Sequence, residues 1–280
     1  MWLYPYQIEA DMYYAFMSFS TPELSLEDMC GVAKEFGYDG IEPRMDADHH
    51  HGIETATSSA ERKSLKQTAE DNHIALACLA TSLKYADPHK TQVTIEETHG
   101  RIDLACDLGI STMRIFGGVL PGGLSREQAI LTVSHALKEV ADHAEEKGVT
   151  LCLETHDDWC NPSDVAEVMK RVDHLSIAVN WDIMHPVRMG HTTMSDAYQV
   201  LKPWIKHIHL HDGLGKTGER TSLTPIGEGD IDHACALNHL ISDQYTGFLS
   251  GEWIKWESWK IHLPRELATL KQYEQGIINP

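Results

Sequence analysis

Eight times along the chain a short apolar run is followed by a segment whose apolar residues fall at helical spacing. No Pro- or Gly-rich linker and no low-complexity stretch interrupts that rhythm. Alternation of this kind predicts a parallel sheet with helices packed outside it. The runs are Tyr13–Phe19, Tyr38–Ile41, Ile74–Leu79, Thr112–Phe116, Val149–Leu153, Leu175–Val179, Ile205–Ile208 and Gly247–Gly251. Helices are expected from Ser25, over Glu61–Asn72 and Val93–Leu108, from Ser125 to Gly148, from Pro162, over Asp196–Leu201, around Ala234–Leu240 and over Pro264–Tyr273. Ser25 and Ser125 are N-cap residues, and Gly37, Gly109 and Gly148 are C-terminal stops. At 280 residues the chain has the length of one (β/α)8 TIM barrel, which takes roughly 250. The expectation is an α/β fold, a single TIM-barrel domain over residues 1–280. An open doubly wound sheet is the alternative.

Four of the runs end on side chains of the kind that hold metals. Val149–Leu153 runs into Glu154 and His156, Leu175–Val179 into Asn180, Asp182 and His185. Ile205–Ile208 runs into His209, His211 and Asp212, and Gly247–Gly251 into Glu252. A closed barrel puts every strand's C-terminal end on one face, where such barrels carry their active sites. An open sheet would set these ends along a line. Glu154, Asp182, His209 and Glu252 offer three carboxylates and one imidazole. That donor set favours one divalent cation, Mn²⁺ first with Mg²⁺ or Co²⁺ as alternatives, over a structural zinc. Three carboxylates at one rim repel one another unless a cation lies between them.

Such a site can polarise the carbonyl of a sugar-like substrate and stabilise the enediolate left by loss of the neighbouring proton. Glu154 and Glu252 are expected three strands apart around the barrel, so they reach the substrate from different sides as a catalytic acid/base pair.

Composition removes other classes. With 23 basic against 42 acidic residues the net charge is -19, which repels nucleic acid and anionic membrane surfaces. The six cysteines are scattered without a C-x-x-C pair, which points to a reducing compartment. The start, MWLYPYQIEADMYY, lacks the basic and apolar regions of a signal peptide, and no apolar run is long enough to span a bilayer. A cytoplasmic protein is expected. Apolar and aromatic residues away from the barrel face suit a homo-oligomer.

The chain resembles the xylose isomerase-like barrel superfamily of sugar isomerases and epimerases, with ketose 3-epimerases, inosose dehydratases and endonuclease IV. The resemblance rests on Gly40-Ile41-Glu42, Leu153-Glu154-x-His156, Asp182-x-x-His185, His207-x-His209-Leu210-His211-Asp212, Ile226-Gly227-Glu228-Gly229-Asp230 and Glu252. It implies Glu154, Asp182, His209 and Glu252 as metal ligands, His185 as a substrate contact, and the two glutamates as the acid/base pair. Two departures narrow it. The third strand ends Leu79-Ala80-Thr81-Ser82 without the histidine of endonuclease IV, and Asp230-Ile231-Asp232 replaces its Asp-x-His. Ketose 3-epimerases carry an arginine soon after the strand-seven histidine, whereas here His211-Asp212-Gly213 follows and the nearest arginine is Arg220.

Further substrate contacts are expected from His156, His211, Glu42, Arg114 and Lys255. His156 has a loop hydrogen bond as its alternative role, His211 the support of a ligand, and Arg114 a structural ion pair. Glu42 can also pair with Arg44. His207 packs inside the barrel or supports a ligand, and His49-His50-His51 is read as a loop. Trp159, Trp181, Trp253 and Trp256 either wall a sugar site or pack in the core. The leading function is a divalent-metal isomerase or epimerase acting on a ketose, polyol ketone or keto-sugar. A lyase on the same site, an inosose-type dehydratase or a 3-keto-glycoside eliminating enzyme, is the alternative. A non-catalytic sugar-binding barrel and an endonuclease IV-type nuclease follow.

Overall fold

The computed structural model describes residues 12–215 and 222–279. The stretch 1–11, where most of the signal-peptide reading lies, and Arg220 fall outside the described residues. The barrel staves are β1 (Tyr13–Met17), β2 (Gly40–Glu42), β3 (Ala75–Leu76) with β4 (Leu79–Lys84), β5 (Thr112–Phe116), β6 (Thr150–Glu154), β7 (Ile177–Asp182), β8 (Ile205–Leu210) and, after a short hairpin of β9 (Asp212–Leu214) and β10 (Ser222–Thr224), β11 (Phe248–Gly251). All stave pairings are parallel, in the order β3-β2-β1-β11-β8-β7-β6-β5-β4.

The ring closes because β3 and β4 form one interrupted stave. Ala77 N donates to Ile41 O (2.8 Å) and Ala80 N to Pro43 O (3.0 Å), and Arg44 bridges Ala80, so the break at Ala77–Cys78 stays attached to the β2 side. The third strand therefore extends well past the expected end at Leu79. The sixth starts and ends later than expected and carries Asp182 as its last residue.

The helices are α1 (Leu26–Phe36), α2 (Ser59–Asn72), α3 (Thr91–Leu108), α4 (Arg126–Lys147), α5 (Pro162–Val172), α6 (Met184–Arg188), α7 (Met194–Leu201), α8 (His233–Ser242) and α9 (Trp259–Ile278). Local chemistry sets several of their ends. Ser125 accepts from Gln128 N while Gln128 reaches back to Ser125 N, a reciprocal capping box. Gly148 ends α4 at φ 67°, a left-handed turn that costs glycine nothing. Ile130, Val133, Leu137 and Val140 of α4 lie on one stripe and are buried against the barrel. Each such side chain contributes about 1.5–3 kcal/mol by leaving water. The last helix begins five residues before Pro264, so that proline lies inside it instead of opening it. No helix of the described residues is long and apolar enough to cross a membrane.

Register fixes the height of the site. Glu154 is level with Asn180, Asn180 with His207, Asp182 with His209, and Ser250 with His209. Each carboxylate or imidazole therefore sits at or just past the C-terminal end of its stave.

Candidate metal centre and active site

Ligand-type atoms of Glu154, Asp182, His209 and Glu252 all lie within 4.8 Å of one another, and all four residues are buried. The strand order sets Glu154 and Glu252 on staves three steps apart, β6 and β11, with β7 and β8 between them. His209 is the hub. Its Nδ1 is 2.9 Å from Glu154 Oε1 and 3.3 Å from Glu252 Oε2, and its Nε2 is 3.0 Å from Glu42 Oε1. Asn180 Nδ2 also lies 3.1 Å from Nδ1.

Two buried carboxylate oxygens of this cluster, Glu154 Oε2 and Asp182 Oδ2, make no hydrogen bond among the described residues. Arg114 Nε at 3.3 Å and His211 Nε2 at 2.9 Å neighbour them without hydrogen-bond alignment, so each keeps lone-pair capacity that a divalent cation would fill. Hard oxygens with one imidazole fit Mn²⁺, Mg²⁺ or Zn²⁺ of an open, catalytic kind. The residues present thus fit a cation.

The charge balance around the hub is tight. Burial would raise the Glu252 carboxyl, but His209 first, then Arg114 and His211, outweigh it and draw it to about 2. Burial would likewise raise Glu42, yet His209 and His207 hold it well below the usual carboxylate range. For His209 burial favours the neutral ring, and Glu42, Glu154 and Glu252 together reverse that and hold it well above the usual imidazole range.

Glu42, expected at the substrate, is fully buried and has both oxygens engaged, Oε2 by His207 Nε2 (2.8 Å) and Oε1 by His209. Its geometry is that of a carboxylate fixing the His209 ring, so that Nδ1 faces the cluster. Glu42, His207 and His209 also form a compact group of ligand types, but there the carboxylate is already spent on two hydrogen bonds.

Arg114 is 1% exposed; its Nε lies 3.3 Å from Glu154 Oε2 and it donates through Nη1 to Thr81 O (2.7 Å). Its guanidinium also stacks over the Phe116 ring at 4.0 Å. Phe116 in turn meets His156 at 4.9 Å between centroids. Phe116 was not picked out from the sequence, although its two-residue spacing from Arg114 puts both on one side of β5.

The other histidines form a row. His156 meets His185 edge to face at 4.5 Å, and His185 meets His211 at 5.5 Å. His211 Nε2 is 2.9 Å from Asp182 Oδ2, and Asp182 Oδ1 accepts from the backbone N–H of Met184 and His185, which open α6. His156 pairs with Asp157 (3.1 Å); burial lowers it, but that pairing with Glu154 and Glu252 raises it to about 9.

Lys255 is exposed three residues beyond Glu252, in a left-handed conformation, and the structure brings it into none of these contacts. His51 is buried with Nε2 against Arg44 O and Nδ1 accepting from Ile53 N, so it holds the loop together. Trp159, Trp181 and Trp253 are core residues with at most 1% exposure.

The turn at Gly227-Glu228-Gly229 is organised by a carboxylate. The N–H groups of Gly213, Gly227, Gly229 and Ile231 all converge on the buried Asp212 carboxylate at 2.8–3.2 Å. Sequence reading placed Asp212 in a motif but gave it no task. Its partners lie up to nineteen residues further along the chain.

Among curated proteins no sequence matches the chain significantly. Solved structures are similar in fold. The probable 3-DHS dehydratase AsbF of Bacillus anthracis is 20% identical, with a TM-score of 0.78 over 93% of this chain and 99% of that one. The 3-keto-D-glucoside 4-epimerase YcjR of E. coli is 14% identical, with a TM-score of 0.77 over 94% and 100%. The IOLI protein, solved with a bound zinc atom, is 20% identical, with a TM-score of 0.77 over 95% and 98%. The family model of the xylose isomerase-like TIM barrel matches residues 30–273, so a barrel with these ligand-type residues at its stave ends belongs to the xylose isomerase-like TIM barrel family.

Proposed function

We propose that the chain is a divalent-metal-dependent isomerase or epimerase of a ketose, polyol ketone or keto-sugar. The observation that carries this reading is the meeting of Glu154, Asp182, His209 and Glu252 within 4.8 Å at four stave ends. These four residues would hold the cation, with Mn²⁺ the first choice and Mg²⁺ or Zn²⁺ as alternatives. When bound, it supplies positive charge that polarises the substrate carbonyl and lowers the cost of the negative charge left by proton removal.

The chain's own residues do the rest. Glu154 and Glu252, three staves apart, face the substrate from two sides. One takes the proton from the carbon beside the carbonyl and the other returns one to the opposite face or the next carbon. Arg114, packed on Phe116, braces Glu154 at its Oε2 side and so orients the carboxylate that would act as base. His185 and His211, beside Asp182, would hold substrate hydroxyls.

A lyase is the second reading, favoured by the His156–His185–His211 row beside the cluster. Such a row offers a proton donor to a departing hydroxyl or glycosyl oxygen, which an epimerase does not need. Relatives in this family include epimerases, isomerases and dehydratases.

The test is a panel of ketoses, inososes and 3-keto-glycosides incubated with Mn²⁺-loaded protein, with products read by mass and NMR. An isomer of unchanged mass supports the epimerase reading, and a lost water or aglycone supports the lyase. A protein that binds no divalent ion, or whose E154Q and E252Q variants turn over normally, would end both.

A further inference from the structure

Arg44 lies just past the end of β2, beside the site and unused by the mechanism above. Its guanidinium donates to the carbonyls of Met45 and Ala80 and, at 2.6 Å, to Ser82 Oγ. Every one of these acceptors is neutral. Asp46, the acid nearest in sequence, is instead paired with Arg101 at 3.2 Å. Among the described residues no carboxylate pairs with this largely buried guanidinium, an expensive arrangement unless a ligand supplies the anion.

Its surroundings point into the site. Arg114 donates to Thr81 O (2.7 Å), between the two β4 residues, Ala80 and Ser82, that hold Arg44. The two guanidiniums thus flank one short stretch of β4. Burial first, and then the Arg114 charge, draw Arg44 down to about 10, while the charges of Asp46, Glu252 and Glu154, none in ion-pair contact with it, act in the opposite direction. The Phe19 ring lies 5.8 Å from the Arg44 guanidinium carbon and is only partly buried.

Local charge does not oppose an anion here, in spite of the chain's net -19. Glu42, Glu154, Asp182 and Glu252 carry four negative charges. A divalent cation with Arg44 and Arg114 balances them. A further anion would then meet the Arg44 fork at a site close to neutral, with the planar geometry that suits two oxygens at once.

We propose that Arg44 binds an acidic substituent of the substrate, a carboxylate or phosphate remote from the reacting carbonyl, so that the substrate is an anionic sugar derivative. This rests on the reading of the metal cluster as the active site. It is tested on Mn²⁺-loaded protein by calorimetric titration with three polyols, D-gluconate, D-glucitol 6-phosphate and neutral D-glucitol. At least one anion should bind about tenfold or more tightly than glucitol, which is what a charge-assisted fork contributes. The R44Q variant should lose that margin and bind glucitol as before. The better anion tells whether the substituent is a carboxylate or a phosphate.

Equal binding of all three polyols by the wild type overturns the proposal. So does a margin that survives in R44Q, because the anion would then be held elsewhere, for example at the cation. If R44Q does not fold, R44K decides. Lysine keeps the charge but loses the fork, so the margin should shrink, and an unchanged margin overturns the assignment. Metal content and turnover are measured separately. A protein without turnover that still shows the Arg44-dependent margin keeps this proposal and loses the isomerase reading.

Discussion

The Asp212 carboxylate offers the sharpest test of how the rim of the candidate site is held. Four backbone N–H groups end on it, two of them, from Gly213 and Ile231, fully buried and two, from Gly227 and Gly229, partly so. In D212A the partly buried pair can turn to water, but the buried pair is left unsatisfied. Each costs about 1–3 kcal/mol, so the loss is about 4 kcal/mol. A 280-residue chain has an unfolding entropy of about 0.6 kcal/mol/K, at roughly 2.1 cal/mol/K per residue. The melting temperature should therefore fall by about 7 °C. D212N keeps one accepting oxygen but turns an N–H₂ toward N–H donors, so it should lose about half as much. Scanning calorimetry of the three proteins measures both shifts. A D212A protein melting within about 1 °C of the wild type would refute the claim that this carboxylate supports the turn.

Three more outcomes follow from the structure. E42Q should weaken divalent-metal affinity about 10- to 100-fold with little change in fold, because Glu42 orients His209, and metal titration reads this directly. G117A should be destabilising by about 1–3 kcal/mol in urea melts, because an added Cβ would meet the buried Trp159 indole at 2.2 Å; wild-type stability would show that the indole can move aside. Burial lowers His51 and His262 from 6.5 to about 4. Their folded values lie below the unfolded one, so their contribution is complete above about pH 6.5 and is lost as the pH falls toward 4, up to about 3 kcal/mol each. H262Q should flatten the acid limb of the stability–pH curve, and an unchanged limb contradicts the assignment.

What the sequence made legible was local. Ser25 and Ser125 cap their helices and Gly37, Gly109 and Gly148 end theirs because those contacts lie within a few residues. The eight-stave rhythm was legible because burial on both faces leaves a run of apolar residues. The break at Ala77–Cys78 was not, since its apolar letters continue unbroken while the pairing does not. Nor was the turn α6, five residues long and organised by the Asp182 carboxylate. Glu42 was noticed as a strand end and expected at the substrate, because its partners His207 and His209 stand 165 and 167 residues away. The Arg114–Phe116–His156 stack crosses from one stave to the loop after the next, which no single-stretch pattern encodes.

The joint between β1 and β11 stitches the beginning of the chain to its end. One imidazole, His209, meanwhile touches Glu42 near the beginning, Glu154 in the middle and Glu252 beyond the last stave. A nascent chain that has not yet emitted β11 lacks both the closing stitch and the fourth donor. Any ion captured that early would sit in a three-donor notch open to solvent. On the proposed metal reading, full-strength loading would be a late event of biosynthesis, and ion occupancy a report that the last stave has been threaded home.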